Sequence, residues 1–423
     1  MDIESQILAR LGDATFLENL FRGDPVAFRE AIPAVCARHP DSGILQAWQA
    51  RLDFPVTPAT PAATANPPAS ARTAFYLALA TAVLVKLPSL LPSASQENFY
   101  LRYTAFLVLA PLAAYFCLVR RTRGRALRVL LAGFLLAAIF VAWMPVNVNQ
   151  KWDRWGINAA LLHLPLFLGW LTCLAYLGSA WREDSARAGL IRLIGEIVIY
   201  TALVLLAGIL MTGITIGLFA AAGLFIGDFY SQWIVVMGAA AAPVVGAHLA
   251  CQRTHAKIFV APMLAHLFNP LALLTLLVYL ATVLPHVTKL YHDRDFLMVF
   301  NVMSVAVLAI AALSLTSWTA RGWLDYVLTL LVTLALVVDL MALSAIVSRL
   351  SWYGFSPNRV AVFGANVLMS VHLAGLLYCL ICGLRPGRSF APAQHWLVRY
   401  LPAYTVWTAF VVFILPILGS RLA

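Results

Sequence analysis

From residue 73 onward, apolar runs follow one another almost without pause, and this constrains the chain more than anything else in it. They cover 73–91, 103–119, 126–144, 158–180, 191–213, 229–250, 266–287, 296–317, 323–347, 358–383 and 400–419. Each is close to the roughly 20 residues that a helix needs to cross a hydrocarbon core of about 30 Å. Inside that core no water can satisfy backbone N–H and C=O groups, so each run is predicted to be a helix. With 62% hydrophobic and 11% charged residues, and a mean hydropathy of +0.85, too little polar surface is left to clothe a soluble domain of this size. The expected fold class is all-α: a polytopic membrane helical bundle of about eleven spans, within a range of ten to twelve. A small soluble helical module is expected to precede it.

Charge divides along the chain. Residues 1–54 hold eight acids and five arginines, a net of −3, which leaves 24 basic and 10 acidic residues for the remainder. A basic excess confined to the loops of a membrane protein fits loops facing an anionic leaflet, with membrane lipids as partners and no nucleic acid. Only four of the 29 basic residues are lysine, a bias expected of a GC-rich bacterial genome. The six cysteines lie mostly in apolar runs, where a thiol behaves as a small hydrophobe, and imply no disulfide framework. Cys379 and Cys382 form a C-x-x-C on one helical face, but no second pair or neighbouring histidine completes a metal set.

The N-terminus carries acids through its first thirty residues and lacks the basic start and apolar core of a secretory signal. Ile3, Ile7, Leu8 and Leu11, then Phe16, Leu17, Leu20 and Phe21, recur at helical spacing. Asp24-Pro25 reads as an N-cap and first-turn pair opening a third helix, with a fourth from Ser42 to Leu52. Residues 1–54 are thus expected to form a cytoplasmic helical module able to bind a cytoplasmic protein partner. Residues 55–72, with five prolines and no charge before Arg72, read as an extended linker to the membrane domain of 73–423.

One stretch resists simple division. Residues 193–227 carry a single charge, Glu196, and as one straight helix would extend about 52 Å. The expectation is a bend, re-entry or split at Gly213, Gly217 and Gly223, with 214–227 as a re-entrant or half-length helix. On that arrangement one set of alternate loops holds fourteen basic residues and the other seven, which places the N-terminal module in the cytoplasm and the protein in a bacterial inner membrane. If 214–227 spanned fully, the count would be thirteen against eight.

Ionisable groups inside spans are expensive, and each becomes a candidate site residue. Asp339 lies deep in the ninth span; ionised and unpaired in hydrocarbon it would cost several kcal/mol, so it must be protonated, paired or wet. Lys86 and Arg102 are candidate partners, and His372 and Asn366 of the tenth span lie at similar depth. Glu196, one turn into the fifth span, is expected to be close enough to the surface to be wet. His248, His255 and His266 have no metal-ligand spacing, and neither a nucleotide-binding loop nor a nucleophile elbow is present. No metal, cofactor or catalytic residue is assigned.

Between the ninth and tenth spans the chain reads Arg349-Leu350-Ser351-Trp352-Tyr353-Gly354-Phe355-Ser356-Pro357-Asn358-Arg359. This resembles the R-x-x-x-YG-[LF]-[ST]-P-x-R signature of a family of bacterial polytopic membrane proteins known as a domain of unknown function, over roughly residues 200 to 400. The resemblance implies a membrane architecture and no catalytic residue. Read from the residues alone, Ser356-Pro357 caps a helix that Gly354 turns into, while Arg349, Tyr353, Ser356 and Arg359 would also suit an anion or lipid head group.

Three functions remain open: transport or permeation of a small solute or ion past Asp339, Glu196 and the glycine stretch; a non-catalytic sensor or scaffold acting through residues 1–54; and a lipid head-group-binding or lipid-modifying protein.

Overall fold

The computed structural model describes residues 3–9, 13–23, 25–39, 41–53, 70–90, 93–144, 154–221, 225–255, 261–283, 294–317 and 322–422. Most of the expected linker, at 55–69, lies outside them, as do the loops holding Lys151, Lys257, Lys289 and Arg321. Among the described residues 93% are helical and none lies in a strand, so the protein is an all-α polytopic bundle. The chain divides into two compact units, 1–66 and 67–423.

The first unit has four helices, α1 (Ile3–Ala9), α2 (Ala14–Gly23), α3 (Pro25–Arg38) and α4 (Gly43–Asp53), where the apolar spacing predicts them. They close on Ile7, Leu17, Phe28, Ile32, Val35, Leu45 and Trp48. Phe21, Phe28 and Trp48 form a mutual aromatic cluster with centroids 5.1–5.7 Å apart, and Arg51 covers Trp48 while bonding Glu18 at 2.6 Å. That aromatic seam is how so short a segment gathers a core.

The second unit comprises α5 (Ala71–Lys86), α6 (Ser93–Arg120), α7 (Gly124–Trp143), α8 (Arg154–Leu177), α9 (Asp184–Ala221), α10 (Val236–His255), α11 (Ala261–Val283), α12 (Arg294–Ser317), α13 (Trp323–Tyr353), α14 (Pro357–Leu384), α15 (Ala391–Ala409) and α16 (Leu415–Leu422). A π-helical turn, Phe410–Ile414, carries α15 into α16, so the two make one crossing. Among the described residues nine helices are long and apolar enough to span a membrane, and Phe268–Ala281 and Phe300–Thr316 are shorter apolar helices at the seventh and eighth positions. Large apolar side chains such as Leu162, Phe75, Leu136 and Ile209 stand outward, as lipid permits and water does not. This is a multi-pass integral membrane protein.

Two packing centres organise it. Tyr115, Phe116, Leu193, Ala247 and Cys251 join α6, α9 and α10, with Ala74 of α5 and Ala175 of α8. A larger one joins α11 to α15 through Phe300, Val307, Leu331, Val338, Leu373, Leu376 and Leu397.

The expected break at Gly213 and Gly217 does not occur. Helix α9 runs unbroken from Asp184 to Ala221, about 57 Å at 1.5 Å per residue. The chain then returns through Gly227–Phe229 and the π-helical Tyr230–Val235 into α10. Gly246 of α10 lies so close to Ile197 and Thr201 of α9 that a Cβ there would stand 2.9 Å from the Thr201 nitrogen, which makes the pair an antiparallel hairpin. Residues 214–221 therefore neither re-enter nor add a crossing. Each glycine costs a helix only about 1 kcal/mol, and where no water can take up freed N–H and C=O groups the ladder is the cheaper alternative. Residues 222–224, including Gly223, lie outside the described ones.

Candidate functional site

Helix α13 carries Asp339 near its middle, with no solvent exposure at all. Across the interface with α14, the Ser370 hydroxyl donates to Asp339 Oδ2 in a very short hydrogen bond. Ser304 of α12, itself 1% exposed, places its hydroxyl beside the same carboxyl without completing a well-formed hydrogen bond. Asp339 Oδ1 and Ser304 Oγ are each left with no partner among the described residues.

Two serines beside Asp339 forgo the bond most helical hydroxyls of this chain make, as Thr201 of α9 also does. A hydroxyl inside a helix ordinarily bonds the carbonyl one turn back, which satisfies it at no cost to packing. Thr81, Thr172, Ser314, Thr316, Thr329 and Thr333 all do so, at 2.7–2.9 Å. Ser304 and Ser370 do not, and both face Asp339.

A second polar group lies on the opposite side of α14. His372, 3% exposed, is 3.1 Å from the Tyr404 hydroxyl through Nδ1 and stacks on Tyr400 with centroids 4.6 Å apart. Its backbone carbonyl accepts from Trp396 Nε1 at 3.0 Å, while Nε2 has no described partner. Tyr404 lies within electrostatic reach of Asp339, which links the two groups. Helix α15 comes this close because α14 offers bare backbone: a Cβ at Gly364 would fall 2.0 Å from the Trp407 ring, and one at Gly375 would fall 2.3 Å from Trp396. Asn366, buried one turn before Ser370, donates to the Val362 carbonyl at 2.8 Å and leaves Oδ1 without a described partner.

The remaining sequence candidates separate from this site. Lys86 and Arg102 are not partners of Asp339: the Lys86 ammonium sits over the Trp233 ring at 4.6 Å, and Arg102 donates to the carbonyls of Val141 and Met144 at 2.9 and 2.8 Å. Both belong to α5 and α6, whereas Asp339 is in the α11–α15 cluster, and each finds a closer stabilising group on its own side. Glu196 is not wet. Helix α9 begins at Asp184, seven residues earlier than the apolar run suggests, so Glu196 lies about 18 Å along it and is 0% exposed.

The Arg349–Arg359 segment is a capped hairpin. Gly354 ends α13 with φ of 69°, a conformation that a side chain would oppose, and Ser356 caps α14 by accepting from the Arg359 amide at 3.4 Å. The Arg359 guanidinium closes the same turn by donating to the Gly354 carbonyl at 2.8 Å. Arg349 is half-buried and engaged within the chain, and the Tyr353 side chain lies outside the described residues. His248 is held between Tyr115 at 3.2 Å and Gln252 at 2.9 Å, while the side chains of His255 and His266 fall outside the described set. Among the described residues no group of three His, Cys, Asp or Glu side chains could hold a metal ion, and all six cysteines are free.

Sequence reading missed Ser304, Ser370 and Tyr404. The two serines carry no signal, since isolated hydroxyls are commonplace in spans. The aromatic stripe was visible: Trp396, Tyr400 and Tyr404 recur at i, i+4, i+8 on one face of α15.

No protein family, curated protein or solved structure matches the chain.

Proposed function

We propose that this protein moves a small ion or polar solute across a bacterial inner membrane, with the Asp339 carboxyl as the point its cargo or coupling ion must meet. The observation carrying this reading is a fully buried carboxyl in mid-span whose second oxygen has no described partner, beside a serine hydroxyl held off its own helix. Such an arrangement costs stability and does nothing for packing, and uncompensated polar groups at membrane depth are the devices of ion and solute pathways. The glycine stretch drops out of the pathway, because it is continuous helix, while Glu196, buried in α9, stays a candidate along with Asp339.

Orientation belongs to the same reading. With α9 and α10 as successive crossings, the loop count is fourteen basic residues against seven, which favours a cytoplasmic N-terminus. Membership in the family that the Arg349–Arg359 loop resembles is likewise proposed on those residues alone. A second reading, a membrane scaffold whose residues 1–54 hold a cytoplasmic partner, is favoured by one observation: the four N-terminal helices carry their own closed core.

The test is flux in proteoliposomes holding the purified full chain. An ion- or proton-dependent flux is expected for the native protein and its loss for Asp339→Asn, a change that keeps the side chain's shape and removes its charge. Flux unchanged in a correctly inserted Asp339→Asn protein removes the residue from the pathway.

A further inference from the structure

We infer that Asp339, Ser304 and Ser370 form a binding site for a small dehydrated monovalent cation, with sodium as the natural occupant. This deepens the reading above and rests on it only in taking Asp339 as the functional site.

The donor set is all oxygen: two carboxylate oxygens and two hydroxyls, brought from three helices, α12, α13 and α14. Oxygen-only sets select hard cations, which draw their ligands in to about 2.3–2.6 Å. The charge also fits. No lysine or arginine pairs with Asp339 among the described residues, so a single ionised carboxylate waits for a single positive charge. A monovalent ion neutralises it, whereas a divalent one would leave a net charge of +1 in a region that penalises any net charge.

An unpartnered Ser304 Oγ beside a carboxyl whose Oδ1 is also unpartnered carries the argument furthest. A carboxyl kept permanently protonated needs one acceptor and gives no reason for a second hydroxyl beside it to forgo its own helix carbonyl. Two buried oxygens on neighbouring residues, neither holding a well-formed hydrogen bond, are what a bridging cation requires of its ligands. The ligating residues are 0%, 1% and 8% exposed, so an ion there is stripped of water and held by a small set of protein oxygens, for which sodium and lithium are the expected occupants over potassium. The titratable groups facing it from the neighbouring helices are Tyr404 of α15, and His372 of α14 behind it, whose Nδ1 is already occupied by Tyr404. Neither supplies a competing fixed charge while the imidazole is neutral. Asn366 Oδ1, one turn away on the same side of α14 as Ser370, is the nearest further oxygen donor on that helix without a described partner.

The test uses the purified full chain in lipid nanodiscs at fixed pH and ionic strength, with thermal unfolding followed as choline chloride is replaced by sodium, lithium or potassium chloride. Sodium and lithium are expected to raise Tm saturably and potassium to leave it near the choline value, because a ligand that binds only the folded state stabilises it by mass action. Ser304→Ala is expected to keep the Tm in choline and to raise the half-saturating sodium concentration about tenfold, the loss of one oxygen ligand. Asp339→Asn is expected to abolish the sodium shift. Equal Tm in sodium, potassium and choline overturns the inference, and so does a sodium shift that Ser304→Ala leaves unmoved. A flux that needs Asp339 but not sodium refutes the cation site and keeps the transport reading. A sodium-dependent Tm in a protein without flux keeps the site and refutes transport. Should Asp339→Asn fail to fold, the native ion comparison and Ser304→Ala still decide.

Discussion

Helices α9 and α13 are almost equally apolar, yet they live in different surroundings. None of the most apolar eighteen residues of α9 is buried in the protein, against 44% of those in α13. Leu203, Leu206, Ile209, Leu210 and Ile214 of α9 all point outward, while Leu331, Val332, Ala335, Val338 and Ala342 of α13 sit at the centre of the larger core. Hydropathy reports that both helices prefer hydrocarbon and is blind to whether lipid or protein supplies it, because a lipid tail is as apolar as a leucine. The polar residues distinguish them. Toward its C-terminal half α9 offers only Thr212 and Thr215, of which Thr212 is satisfied by its own helix at 2.8 Å, whereas α13 carries Asp339 into a ring of neighbours.

The contrast can be broken most severely with glycines. Gly364→Leu drives a side chain into the Trp407 ring and is expected to cost at least about 3 kcal/mol or to prevent folding. Gly213→Leu on α9 meets nothing within 4 Å and is expected to be neutral or to gain up to about 1 kcal/mol of helix propensity. Fluorescence-detected size exclusion after a heat step compares the two directly, and equal losses would mean that the outer half of α9 is packed against something after all. A charge probes the same half differently. Leu206→Asp, at a side chain 63% exposed, is expected to cost roughly 2.5–3.5 kcal/mol of insertion if lipid surrounds it, read from the inserted fraction in a glycosylation-mapping assay. Unchanged insertion would put that half of the hairpin outside hydrocarbon. The smallest effect belongs to the aqueous end of α13 and α14: Ser356→Ala removes an N-cap and is expected to lower stability by about 1 kcal/mol without touching flux.

How far the sequence could be read varied by region. The nine described helices long enough to cross a membrane, the two shorter apolar ones and the four small helices at the N-terminus were legible because apolar periodicity and length report directly on which faces leave water. Asp339 was legible for the same reason, since a carboxyl within an apolar run announces its own cost. Its company was not. Lys86 and Arg102 have complementary charge, yet they found Trp233 and the Val141 and Met144 carbonyls, while two unremarkable serines turned to the acid. The continuity through Gly213 was not legible, because the length of the apolar stretch asks for a break, whereas in hydrocarbon a freed amide finds no partner and the helical ladder holds.

The sequence by itself determined that this chain is a membrane-spanning helical bundle, because no other arrangement satisfies its backbone while burying so much apolar surface in lipid. Only the tertiary structure decided which helices face lipid and which face one another, and which hydroxyls attend the buried acid. Those choices depend on side chains far apart in the chain meeting across helix interfaces, and a bilayer, being apolar everywhere, leaves no trace of them in the pattern of hydrophobic residues.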